Sequence, residues 1–475
     1  MAGGPLESAF RDFVSAAILV CGGFRAGHPG SAPTPESHQS LSEAVESATE
    51  FQTLVMAALR LMPDLRDRSD GDLADLLNRY RRGGSLGGQW RDIMHVGEIQ
   101  TAVRAFLRRS GLYLELWRDA APDALGMARR LESALAEEES PLTTLVPLDG
   151  LSIRGDEEID LGEVRLVKLS KERWERFFET NLFYRAPLAL EELADLWSIR
   201  SEGKHDGWDW GVAWDLVPPR TRVMRTFGKW IHFINLWELG SVRPVALFEK
   251  IESLLALHPV RQSTIVEPAR EPMALAHEDD EVGYRAVTTV EAGNAATLRA
   301  FLLALAAGHQ AAQGDGRVDT ALRFFDRACD DLFAVQQWEI THQEYEVLED
   351  FVADSTTCLE AALLDGIQNR DKSGPLGERT AALVAAGEPD LTTVQEEIRS
   401  AYGVRNAIVH GDARQPIQTL VVAAKSLRVR TRQVLFALLM LNGNRAAFQR
   451  AVANTVAKAV LRAHLREYRD RPPWG

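Results

Sequence analysis

The sequence predicts an α+β protein that is mostly α, with a helical region over residues 1–140, a mixed α/β region over 141–293 and an all-α bundle over 294–475. Three observations carry that expectation. The chain has 475 residues, 45% of them hydrophobic, which is enough for two or three cores. Apolar residues recur at helical spacing towards both ends, and between them lie short apolar runs broken by turn residues.

In the first region, Ser42–Leu61 and Glu98–Leu116 show the helical period, and Gly27–His38, rich in Pro, Ser and Gly, reads as a loop. Arg79–Trp90 (RYRRGGSLGGQW) is basic and glycine-rich, yet no strand precedes it and no Gly-Lys-Ser/Thr ending follows, so a phosphate loop is not expected. In the middle region Leu142–Leu169 alternates as strands do, and Val223–Glu238 reads as a helix. Trp208, Trp210 and Trp214 offer either a stacking platform for bases or a strand-face core. The acidic run His277–Glu281 reads as a solvated loop. From residue 294 the expected helices are Ala296–Ala311, Thr320–Gln336, Gln343–Gly366, Leu376–Ala386, Thr393–Val409, Ile417–Leu441 and Arg445–Tyr468.

Several classes of protein are excluded at this level. No apolar run approaches the roughly 18 residues of a membrane span, so no membrane partner is expected. Met1–Val14 lacks a basic n-region and carries Glu7 and Asp12, which predicts no secretory signal. Cys21, Cys329 and Cys358 are odd in number and far apart; they predict reduced thiols and a cytoplasmic protein, with neither a disulfide framework nor a cysteine zinc site. His95, His277, His342 and the acidic runs lack ligand spacing, so no metal and no other cofactor is expected. The formal net charge of −14 argues against a general polyanion binder. Charge is uneven, however. From Val421 to the end, 11 Lys and Arg face only Glu467 and Asp470, a local excess of +9. That stretch reads either as a solvated basic face or as a local phosphate-binding surface.

One segment carries chemistry. Thr393–Gly411 reads TVQEEIRSAYGVRNAIVHG, in which Thr393 and Glu396 form a capping-box pattern and Gly411 supplies a C-terminal stop. On a wheel with Ile398 at zero, Val409 falls at about 20°, Tyr402 at about 40°, Val394 at about 320° and Ala401 at about 300°. Arg405 falls at about 340°, inside that apolar stripe, while Asn406 and His410 fall at about 80° and 120° along its edge. A guanidinium among apolar neighbours needs an anion: a buried acid such as Glu360, a subunit interface or a substrate phosphate.

The order Tyr402-x-x-Arg405-Asn406-x-x-x-His410-Gly411 at a helix end resembles the R-x4-6-H signature of the HEPN superfamily, and in particular its Apea-like branch. Phe351–Leu364, with Leu359-Glu360, resembles the first core helix of that family, and Gly377–Val384 resembles the helix that follows it, so the likeness spans roughly residues 294–470. The resemblance implies a helical bundle that dimerises and a metal-independent endoribonuclease whose Arg and His meet across the dimer. Carried over, Arg405 would stabilise transition-state charge and His410 would act as general acid or base. Asn406 would orient His410 or the phosphate, with Glu360 and Tyr402 in support. Arg414, Lys425, Arg428, Arg430 and Arg432 are expected to guide the RNA backbone. The branch implies antiphage defence by RNA cleavage and abortive infection. Asp412 stands where some family toxins carry a modified Tyr, so control is expected from the first 290 residues instead. A non-catalytic module that binds RNA or a nucleotide, or a dimerising scaffold, remains the alternative at this level.

Overall fold

The structure is a computed structural model, and it describes residues 4–26, 35–62, 65, 68–81, 90–118, 121–137, 139–155, 158–178, 190–206, 217–237, 242–256, 260–265, 288–291, 293–313, 315–334, 342–364, 372–385, 388–411 and 414–441. Residues 82–89 of the glycine-rich segment, Trp208, Trp210, Trp214, the acidic run 277–281, Asp412 and the expected helix 445–468 lie outside them. The fold is α+β and mostly α.

Seven helices come first: α1 (Pro5–Ala26), α2 (Pro35–Glu46), α3 (Thr49–Leu59), α4 (Asp70–Arg81), α5 (Trp90–Arg109), α6 (Leu112–Trp117) and α7 (Ala124–Leu135). They enclose a core of their own in which Phe10 packs edge-on against Phe13 and Phe106. Three expectations change here. The loop expected through His38 is already helical from Pro35, a residue whose fixed φ suits a first turn. The single helix expected over Ser42–Leu61 breaks in two, because Ala48 is extended (φ −67°, ψ 150°). The one over Glu98–Leu116 begins earlier and breaks at Gly111, whose φ of 86° only glycine adopts readily.

The middle region holds a sheet of antiparallel pairs in the order β3-β4-β5-β1-β7-β8, with β6 also on β1: β1 (Glu139–Asp149), β3 (Ile159–Asp160), β4 (Arg165–Lys168), β5 (Trp197–Asp206), β6 (Arg243–Pro244), β7 (Ala246–Ile251) and β8 (Val260–Thr264). Strands β2 (Leu151–Ile153) and β9 (Thr288–Val290) form a small parallel pair beside it. The two-residue strand period sorts side chains between two cores. Leu145, Val167, Ala246 and Phe248 face Trp174 and Phe178, supplied with Leu193 by α8 (Lys171–Phe177), its end and α9 (Leu190–Asp195). Their neighbours Val146, Leu148, Leu166 and Leu247 face the other way, towards α10 (Pro219–Trp237).

Helix α10 is buried through most of its second half, Phe227–Trp237, while Arg220, Arg225 and Thr226 in its first half are exposed. Behind it stand α11 (Ala295–Ala311), α12 (Gly316–Ala334), α13 (His342–Leu363), α14 (Ser373–Val384), α15 (Glu388–His410) and α16 (Ile417–Met440). One hydrophobic core runs without a break from Val146 through α10 to Leu439. The expected boundary between residues 293 and 294 is therefore not a boundary between cores. Close backbone approach fixes the bundle: a Cβ at Gly308 of α11 would stand 2.0 Å from the Leu439 carbonyl oxygen of α16. Among the described residues no helix is long and apolar enough to cross a membrane. Cys21, Cys329 and Cys358 are buried and none is in a disulfide, and burial raises the Cys358 thiol well above its ordinary value.

Candidate functional site

Helix α15 carries the sequence-predicted constellation. Its start lies at Glu388, with Pro389 in the first turn, so Thr393 is interior to the helix and the capping-box reading of Thr393–Glu396 does not hold. Its end agrees with expectation: the helix stops at His410, and Gly411 takes a left-handed φ of 69°, the usual C-terminal glycine geometry. Val394, Ile398, Ala401, Tyr402 and Val404 are buried. Val409 departs from the wheel. It is 53% exposed, because the last turn of the helix extends beyond the core.

Arg405 is half-buried between α15 and the end of α13. Its Nη1 donates to Asn406 Oδ1 at 3.2 Å, its Nη2 stands 4.0 Å from Glu360 Oε1, and its guanidinium lies 5.7 Å from the Tyr402 ring centroid. Among the described residues Arg405 Nε and Glu360 Oε1 are both buried without a hydrogen-bond partner. The ion pair is thus loose, and one donor and one acceptor remain unused beside each other. Glu360 is held from its other side by Lys372, whose Nζ donates to Oε2 at 3.1 Å. Lys372 precedes α14 and was not among the residues expected from the sequence; its only signal there is a cation at a position where helices favour Ser, Thr, Asp or Asn. The Arg405–Glu360 approach itself is the buried-acid pairing that the wheel offered.

His410 is exposed. On an ideal helix it sits about 7.5 Å along the axis and about 140° around it from Arg405. The two side chains of one chain therefore leave α15 in divergent directions. Beyond Gly411 the backbone is tied back to α13: Arg414 stacks 3.7 Å over the Tyr345 ring centroid, and the Tyr345 hydroxyl donates to the Gln415 carbonyl.

The expected RNA-guiding arginines of α16 are placed differently from the expectation. Arg432 is buried and donates from Nε to the Asn235 carbonyl at 3.2 Å and from Nη2 to the Leu236 carbonyl at 2.8 Å, filling the unpaired acceptors at the end of α10. Arg428 is buried beside it. Arg430 is largely covered and pairs with Glu397 at 3.0 Å. Inside the fold, none of the three presents a free cation to a nucleic acid backbone. Arg414 and Lys425 are exposed.

Among the described residues no three His, Cys, Asp or Glu side chains stand together as metal ligands. The groups that the site does offer are a shielded guanidinium, an amide, a carboxylate, an ammonium and an exposed imidazole. That set suits the binding of an oxyanion and the transfer of a proton near neutral pH. No family model, no curated protein and no solved structure matches this chain.

Proposed function

We propose that this chain is a metal-independent RNA endonuclease of HEPN type, with a composite Arg405–His410 site completed by a second copy of the chain. The observation that supports this most is the pairing of a half-buried, loosely held Arg405 with an exposed His410 one and a half turns later. Because the two side chains diverge on α15, one protomer's His410 reaches a phosphate held by Arg405 most directly across a two-fold axis. The exposed Val409 beside His410 and Val422 on α16 supply apolar surface for that contact.

In the reaction the ribose 2′-oxygen attacks phosphorus and the bond to the 5′-oxygen breaks. The 2′-hydroxyl proton leaves to a base, and the departing 5′-oxygen takes up a proton. His410 serves one of these transfers as a general acid or base. Arg405 meets the extra negative charge on phosphorus, with Asn406 fixing its fork. The products carry 2′,3′-cyclic phosphate and 5′-hydroxyl ends. The setting that the resemblance implies is antiphage defence, in which RNA cleavage shuts down an infected cell.

The test uses the full chain, since the C-terminal helices share their core with the sheet and α10. Purified protein is incubated with total RNA, with and without EDTA, beside an Arg405→Ala/His410→Ala double variant. Cleavage that survives chelation, ends in cyclic phosphate, spares DNA and vanishes in the double variant is the expected result. Products with 5′-phosphate ends, or loss of activity on chelation, would replace the mechanism.

A further inference from the structure

We propose that Lys372 is a second phosphate-binding cation of this site, taking the phosphate next to the one that Arg405 meets. The proposal rests on the ribonuclease reading for the identity of the polyanion, and on the geometry of one carboxylate for the rest. Glu360 faces Lys372 with Oε2 at 3.1 Å and Arg405 with Oε1 at 4.0 Å. Two cations thus share a single carboxylate, and the trio keeps an uncompensated positive charge. The Lys372 side chain is 38% exposed, and an ammonium has three donors, so it can hold Glu360 and still present an N–H to solvent. Arg405 and Lys372 flank the same carboxylate. A strand that brings one phosphate to Arg405 therefore carries its neighbour past Lys372.

Helix stability does not account for this lysine. It occupies the capping position of α14 with φ −94° and ψ −13°, and its side chain makes no capping bond. A cation there opposes the helix dipole, where an acid or a hydroxyl would support it. Arg399 adds to the same field: its Nη2 lies 3.9 Å from where a Cβ on Gly374 would stand, and among the described residues it pairs only with the exposed Glu378 at 3.4 Å. A partly exposed ion pair such as Lys372–Glu360 adds little to stability. Positive charge gathered at this turn is instead what an anionic ligand needs.

The competing role is local: Lys372 neutralises Glu360 and touches no ligand. Salt dependence separates the two, because each phosphate contact to a single strand steepens the fall of log affinity with log salt by about 0.7. Binding of a labelled single-stranded RNA oligonucleotide, and of the same sequence as DNA, is measured across a salt series with the full-length His410→Ala chain, which holds RNA without cutting it. Lys372→Met and Lys372→Gln are then added. Gln keeps a hydrogen bond to Glu360 without the charge, and thermal unfolding confirms that either variant is folded. The expected result is a slope shallower by about 0.7 in both, with Lys372→Arg restoring it. An unchanged slope in the Met and Gln variants, or a chain that binds neither oligonucleotide, overturns the proposal. If the Lys372-dependent slope is found on both oligonucleotides while the chain with His410 intact cuts neither, the subsite stands and the ribonuclease reading falls.

Discussion

Arg405 on α15 and Arg432 on α16 are both arginines set among apolar neighbours, and their guanidinium groups are used in opposite ways. Arg432 grips two carbonyls at the end of α10 at 2.8 and 3.2 Å, in a place closed to solvent. Arg405 makes one bond to its own neighbour Asn406, stands 4.0 Å from its acid and, among the described residues, keeps a buried Nε without a partner. The first is turned to the fold, its Nε and Nη2 each bonded to a carbonyl of α10. The second is held in place but left incomplete, as expected of a group that finishes its bonding on something from outside. The state of the hydrogen bonds, rather than the presence of a cation, separates packing from a site.

The largest expected effect tests the Arg405 half of that contrast. Arg405→Ala should lower RNA cleavage by about 10²–10³-fold, the scale seen when one donor to a developing oxyanion is lost. Its urea denaturation midpoint should stay close to that of the parent, because the pair it leaves is loose and Glu360 keeps Lys372. Arg432→Ala should do the reverse. It strands two carbonyls in the core, at a cost of about 3 kcal/mol. Cleavage per folded molecule should be retained. Equal loss of stability in the two variants would collapse the distinction.

How much of this was legible from the sequence divides along the same line. The end of α15 was readable because Gly411 and the R-N-x-x-x-H order are local signals, and local rules decide helix ends. The strands were readable from alternation, which β1 realises by sending Leu145 to one core and Val146 and Leu148 to the other. The burial of the α16 arginines does not follow from charge summed over a stretch, which holds no information on the way each residue faces. Applied there, the wheel puts Arg428, Arg432, Leu435 and Leu439 on one stripe, within about 60° of each other. That was the signal already used for Arg405. Lys372 was not legible: residue 360 lies in α13 and residue 372 just before α14, and only the packing of the two helices brings them together. Nor did composition disclose that α10 fuses the sheet and the bundle into one core, since that depends on what covers each face of an apolar helix.

A smaller effect sharpens the view of α16 as a packing element. Gly308→Ala would place a methyl group 2.0 Å from the Leu439 carbonyl oxygen, so α11 and α16 must separate. Overpacking of this kind costs about 1–3 kcal/mol. Chemical denaturation should read that loss, with the RNA cleavage rate of the folded fraction unchanged. A variant as stable as the parent would mean that the two helices slide freely, and that α16 does not register the bundle against α10.

The smallest expected effect concerns a histidine on α10 that, unlike His410, is closed off by the fold. His232 is largely covered, and burial lowers its pKa, opposed by the nearby Asp326, whose Oδ1 lies 3.6 Å from Nε2. His309 pushes it in the same direction as burial, and Asp319 pulls against it. In the unfolded chain the imidazole returns to about 6.5. Above that value it is neutral in both states and adds nothing to the pH dependence. As pH falls through 6.5 the unfolded chain takes up the proton first, so stability declines, and the decline ends once pH is below the lowered folded value. His232→Gln should therefore flatten the acid side of a thermal-unfolding profile taken from pH 7.5 to about 5.5, by less than about 1 kcal/mol at its low end. His410→Gln, at an exposed helix end, should change cleavage instead. If the two substitutions exchange these effects, the assignment of one histidine to packing and the other to chemistry is reversed.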